Sequence, residues 1–161
     1  MMEKSSAYIS ILTHSLEKKI TVLDKIIESN VEQKEILGQT PMDTERFEAN
    51  LTYKGELIDE LNLLDDGFND IYERIREELN SNREEYKEEI KRLQELISAI
   101  TEKSVTIRAE EERNRAAAEK QFSGMKSEIQ TSKRSSQAAS KYYSSMSRVN
   151  MVDAQFMDKR K

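Results

Sequence analysis

Cysteine is absent from this chain. That single absence excludes disulfides, thiol nucleophiles and thiolate metal ligands together, and it fits a reducing compartment. Pro41 is the only proline and there are four glycines in 161 residues, so loops, tight turns and β-structure have little raw material. Long apolar runs are missing as well. No stretch is apolar over the roughly 20 residues that a membrane span needs, and Met1 to Leu12 carries Glu3, Lys4, Ser5 and Ser6 ahead of its first apolar residues. A soluble, cytoplasmic protein is expected. Glycine-rich phosphate loops and nucleophile elbows are missing too. His14, the lone histidine, falls between Leu12 and Leu16 on the polar side of the first helical stripe, where no ligand spacing surrounds it. The reading is of a non-enzymatic protein with no catalytic residue, no metal and no cofactor.

What remains is charge and helical periodicity. The net charge of −5 argues against nucleic acid as a partner, because phosphate binding relies on a surplus of Lys and Arg. The average hides an asymmetry: residues 120–161 hold nine basic against three acidic side chains, whereas 1–119 hold 17 against 28. An acidic body ends in a basic tail. In the body, Ile9, Leu12, Leu16, Ile20, Leu23, Ile27 and Val31 form one apolar stripe whose mean step of about 3.67 residues predicts a nearly straight helix. Gly38 ends it. Thr40 is placed to cap the next helix, with Pro41 at its first position and Asp43 near its positive end.

The second stripe runs through Phe47, Leu51, Lys54, Ile58, Leu61, Leu64, Phe68, Ile71, Ile75 and Leu79, with Lys54 its one polar interruption. Gly55 and Gly67 each cost roughly 1 kcal/mol of helix propensity, too little to break a helix held by tertiary contacts. Asn80-Ser81-Asn82 marks the next boundary, since short polar side chains compete for backbone hydrogen bonds. Beyond it Tyr86, Ile90, Leu93, Ile97, Ile100, Ser104 and Ile107 continue the pattern. The carboxylates at Glu84, Glu85, Glu88, Glu89 and 110–112 interleave with Lys and Arg and read as a solvated, ion-paired face.

The expected fold class is all-α, an antiparallel bundle of two to three long amphipathic helices (about 6–37, 42–79 and 82–120, body 1–121) followed by a mobile or weakly docked C-terminal helical tail, 122–161. Without the break at 80–82, one helix of about 75 residues would extend beyond ~110 Å, and a homodimeric coiled coil would have to cover its apolar stripe. In the tail, Tyr142, Met146, Val149, Val152 and Phe156 fall on one helical face, flanked by Tyr143, Met151 and Met157. Their burial barely offsets the entropy of ordering the segment, so Tyr142, Tyr143, Met146, Val149, Met151, Val152 and Phe156 are the candidate partner-binding residues. Packing as a fourth helix is the alternative for this segment. Lys141 and Arg148 beside the aromatics also admit an anionic membrane surface.

With the helices placed, the chain resembles the FlgN-type flagellar export chaperones over most of its length. The similar features are the spaced leucines of the first helix, Lys54-Gly55-Glu56-Leu57-Ile58, and a long helix that reaches Glu112-Arg113-Asn114. Where the family tends to show Glu-Lys followed by paired leucines, Lys54 and the Leu57-Ile58 pair match, while Tyr53 stands in the glutamate's place. The resemblance implies a cytoplasmic chaperone that keeps hook-associated (hook-filament junction) subunits unpolymerised and brings them to the export gate of the flagellar type III apparatus. It implies amphipathic terminal helices as clients, contact with the membrane only through the export apparatus, and a tail tyrosine, Tyr142 or Tyr143, that assists at the gate. The FliT-type chaperones of the filament cap share a similar helical plan, and a structural coiled-coil adaptor or rod protein is the reading from another class.

Overall fold

A computed structural model describes residues 2–124 as three helices: α1 (Met2–Leu37), α2 (Thr44–Ser81) and α3 (Lys87–Gly124). No strand occurs among the described residues. The chain goes up, down and up. Ser15 and Lys19 of α1 bond to Leu64 and Asp65 of α2, and Gln33 bonds to Asn50, so those two helices run in opposite senses. Asp24 and Asn30 of α1 meet Lys103 and Glu110 of α3 in the same order, so α1 and α3 run parallel. The α1 backbone lies close along both neighbours, whereas α2 and α3 reach each other mainly through long side chains.

Each connection has a local cause. Gly38 N–H donates to the carbonyls of Lys34 and Glu35 at 3.0 and 3.2 Å and closes α1. The α2 cap is Asp43, and here the structure corrects the expectation of Thr40 as cap with Pro41 as the first helical residue. The Asp43 carboxylate accepts the Arg46 N–H at 3.1 Å, and the helix begins at Thr44. Met42 and Phe47 both lie in one buried cluster on either side of that cap, a hydrophobic staple that sets the entry angle of the chain. Pro41 belongs to the preceding turn. At the other end α2 continues to Ser81, and Asn82 makes the break by donating both its N–H and its side-chain amide to the Glu78 carbonyl at 3.1 and 3.0 Å. The turn at 82–86 folds α3 back, so the continuous rod does not form. α3 then runs to Gly124, past the expected end near 120, and takes Phe122 into the body. The Phe122 ring stands edge-on to Phe47, with centroids 5.6 Å apart and planes at 70°.

The buried positions reveal a period that the apolar residues alone misstate. In α1 the central line is Ser5, Ile9, Leu12, Leu16, Lys19, Leu23, Ile26, Asn30, Gln33 and Leu37, at alternating steps of four and three, with Val22, Ser29 and Ile36 buried beside it. In α2 the line is Phe47, Leu51, Lys54, Ile58, Leu61, Asp65, Phe68, Tyr72, Ile75 and Leu79, with Asn50 and Leu57 buried beside it. In α3 the same alternation runs from Leu93 through Ile97, Ile100, Ser104, Ile107, Glu111 and Asn114 to Ala118. This is the 3.5-residue repeat of helices that coil about one another, not the straight 3.67 expected of α1. The expected stripe drifted because it followed Ile20, Ile27 and Val31 past buried polar positions; Ile20 and Ile27 are half-buried and Val31 is 54% exposed. Leu64 and Ile71 of α2 are likewise half-buried, while Asp65 and Tyr72 take the inward places.

Candidate functional site

Polar residues at heptad core positions are costly unless they satisfy one another, and around Lys54 they do so across all three helices. Lys54 is fully buried; its Nζ donates to Glu111 Oε2 at 3.1 Å and to the Gln33 Oε1 at 3.2 Å, and stands 2.9 Å from Glu111 Oε1 as an ion pair. Gln33 donates in turn to the Asn50 side chain at 2.9 Å, and Asn50 donates to the Ser29 carbonyl at 3.0 Å. On the α3 side Asn114 donates to the Asn30 carbonyl at 3.1 Å, and the Asn30 amide donates to Glu110 at 3.2 Å. Burial pushes the Lys54 ammonium below its ordinary pKa, and the charges of Glu111 and Glu110 with the Glu111 hydrogen bond oppose that shift. The layer divides the interior. On one side lies the main apolar core, which runs from Ile9 to Ile26, Leu57 to Leu79 and Tyr86 to Ile107; on the other lies a smaller one around Ile36, Leu37, Met42, Phe47 and Leu51.

Two further polar contacts punctuate the main core. Lys19 Nζ meets Asp65 at 2.8 Å, with both side chains nearly or fully buried. At the far end Ser5 and Tyr86 both donate to the Glu78 carboxylate, the tyrosine at 3.1 Å, which ties the start of α1 to the end of α2 and the turn after it. Burial and that bond push the Tyr86 phenol above its ordinary pKa.

An interior of this kind fixes which residue faces which. A slip of one helix by a heptad would place Lys54 or Glu111 against apolar neighbours, so the polar layer selects a single register. The solvated carboxylate face needs one correction: Glu84, Glu85, Glu88 and Glu89 are exposed, but Glu111 is 4% exposed and carries the buried ion pair. Its sequence signal was the heptad phase set by Ile100, Ser104 and Ile107. His14 is exposed and lines a shallow groove with Ser10, Glu17 and Glu89. Among the described residues no group of three or more His, Asp or Glu is placed to hold a metal ion, and no helix is long and apolar enough to cross a membrane.

Of the segments that carry the family resemblance, Lys54 and Asn114 belong to this layer. Lys54, Leu57 and Ile58 are buried, and Tyr53, where the glutamate would stand, is 45% exposed. Of Glu112-Arg113-Asn114, only Asn114 points inward. The candidate partner-binding residues Tyr142, Tyr143, Met146, Val149, Met151, Val152 and Phe156 lie outside the described residues. The chain matches no protein-family model, and comparison with curated proteins and with solved structures likewise finds no match.

Proposed function

We propose that this chain is a cytoplasmic, non-catalytic chaperone of the FlgN type, which masks hook-associated subunits and delivers them to the flagellar export gate. The observation that supports the reading most is spatial. Lys54, from the resembling segment 54–58, and Asn114, from 112–114, both belong to the buried polar layer, where Lys54 binds Glu111 and Asn114 donates to the Asn30 carbonyl of α1.

The three heptad stripes of the body cover one another, which supports assigning client contact to 142–156, whose sequence is amphipathic. A client helix that pairs on assembly is masked when another apolar face covers it, and a segment that orders only on binding releases it reversibly. Co-expression with a hook-associated subunit tests the reading. The full chain is expected to hold that subunit soluble as a stable complex, and the chain with Tyr142→Ala and Phe156→Ala is expected to lose it while keeping its helical circular dichroism. Equal complex formation by both proteins overturns the assignment of the site.

A further inference from the structure

Helix α1 shares one seam with α3 and another with α2, and the surface charges along the two seams behave differently. Across the α3 seam they pair: Lys103 meets Asp24 at 2.6 Å and Arg92 meets Glu17 at 3.6 Å. Across the α2 seam the ion pair that forms, Lys19–Asp65, is buried, and the charges at the surface stay apart.

The positions that carry those charges follow from the heptads. Ser15 bonds to the Leu64 carbonyl and Asn50 to the Ser29 carbonyl, which fixes the register of the seam. Three and four residues from Ser15 and Ser29 stand Ile11, Lys18, Lys25 and Glu32, the outer line of α1. Three and four residues from Asn50 and Leu64 stand Arg46, Tyr53, Glu60 and Gly67, the outer line of α2. All eight are exposed, Ile11 at 49% and Tyr53 at 45%. None of the five charged side chains has an ion-pair partner among the described residues. Between the two lines lie the half-buried Tyr8, Leu64 and Ile71, and Gly67 has no side chain to screen them. A Cβ at Gly67 would meet nothing within 4 Å, so packing inside the chain does not demand a glycine there. Because α1 and α2 are antiparallel, the register sets Ile11 level with Gly67, Lys18 with Glu60, Lys25 with Tyr53, and Glu32 with Arg46.

We propose that this α1–α2 face binds a second copy of the chain about a two-fold axis parallel to the helices. That rotation lays α1 of each copy over α2 of the other at the same height, so every contact occurs twice. Ile11 seats on Gly67 of the other copy, Lys18 and Lys25 flank its Glu60, the Lys25 ammonium lies over its Tyr53 ring, and Glu32 meets its Arg46. The occupant is a copy rather than an unrelated helix because one face carries both halves of the match: four successive positions of α1 complement the four positions of α2 level with them. A two-fold axis perpendicular to the helices would instead stack α1 on α1 and bring lysine onto lysine. The parallel axis has a consequence at the far end. Both copies of α3 point the same way, so the two chains leave Gly124 at the same end of the assembly. The dimer goes beyond the chaperone reading and does not rest on it.

Charge exchange in the full chain tests the face and the axis together. One variant carries Lys18→Glu with Lys25→Glu, and the other carries Glu60→Lys; all three positions are exposed, so helical circular dichroism should not change. Sedimentation equilibrium of the wild-type chain is expected to show a concentration-dependent monomer–dimer equilibrium. Each variant alone should dimerise at least roughly tenfold more weakly, because like charges then meet across the face. An equimolar mixture should recover association to within about threefold of wild type, since each α1 then faces an α2 of opposite charge. A wild-type chain that stays monomeric throughout, a dimer that neither variant weakens, or a mixture no tighter than its components would each overturn the proposal. Tighter dimers of the Lys18→Glu, Lys25→Glu variant would overturn it in favour of α1 stacked on α1. A monomeric chain whose binding of a hook-associated terminal helix is lost in both variants would overturn it by giving the face to a client.

Discussion

Removing one member of the Lys54–Glu111 pair should harm the bundle far more than removing both. The ammonium and carboxylate stand 2.9 Å apart, with side chains 0% and 5% exposed. At about 3 Å and an effective dielectric near 20 their gross attraction is on the order of 5 kcal/mol, and desolvation of the two ions takes back most of it. Lys54→Met leaves the Glu111 charge buried without the ammonium, and Glu111→Leu leaves Lys54 with the Gln33 carbonyl in place of a counter-ion. Each single substitution should therefore cost about 3–5 kcal/mol. The double substitution removes both buried charges and leaves the neutral Gln33, Asn50, Asn30 and Asn114 in the layer, and should fall between neutral and about 4 kcal/mol more stable than wild type. Urea unfolding of all four proteins, followed by circular dichroism and closed as a double-mutant cycle, measures the coupling. Single costs below about 1 kcal/mol, or a double mutant as unstable as the two singles added, would refute the idea that this pair is a register device held at the expense of stability.

Three other outcomes follow from the same interior. A Cβ built at Gly55 or Gly67 meets nothing within 4 Å and neither glycine has a positive φ, so Gly55→Ala and Gly67→Ala should each stabilise by about 1 kcal/mol and raise Tm by a few degrees. The Ser104 hydroxyl is buried with no hydrogen-bond partner among the described residues, so Ser104→Ala should raise the urea midpoint by the equivalent of about 1 kcal/mol, and a drop of that size would contradict the packing. With its pKa held low by burial, Lys54 binds fewer protons in the folded than in the unfolded chain between that lowered value and about 10.5, so its contribution to stability rises with pH across that window. Tyr86, with its pKa raised, acts in the opposite sense: the unfolded chain releases its proton above about pH 10 while the folded one keeps it, and stability falls there. Unfolding midpoints measured from pH 8 to 11 should show wild type gaining on Lys54→Met up to about pH 10.5, and a constant difference between the two would refute the burial effect.

Long helices and a candidate break at 80–82 were legible because long amphipathic stripes and a cluster of short polar residues are strong local signals, while the choice between a folded-back third helix and a continuous rod was decided only by the turn at 82–86. The phase of the stripes was legible only in part. α3 was read correctly as far as Ile107 because its heptad positions up to there are apolar apart from Ser104. In α1 and α2, Lys19, Asn30, Gln33 and Asp65 occupy core positions, and a reading that follows apolar side chains alone turns away from them toward Ile20, Ile27, Val31, Leu64 and Ile71. Lys54 was seen in phase yet taken for an interruption, since its partner Glu111 lies 57 residues away and nothing local announces it. The cap of α2 was misplaced for a smaller reason. Thr40 and Asp43 are both good caps, and what decides between them is the burial of Met42 against Phe47, a tertiary contact.

Binding of an amphipathic client helix through 142–156 is what separates a chaperone from a self-contained helical scaffold. Titration calorimetry of the full chain, of residues 1–124, and of the full chain carrying Tyr142→Ala and Phe156→Ala, each against the isolated terminal helical segments of a hook-associated subunit, measures this directly. Saturable binding by the full chain, with a negative heat-capacity change and with none detected for the other two, is the predicted result. Equal affinity in all three proteins, or no binding by the full chain, would contradict it.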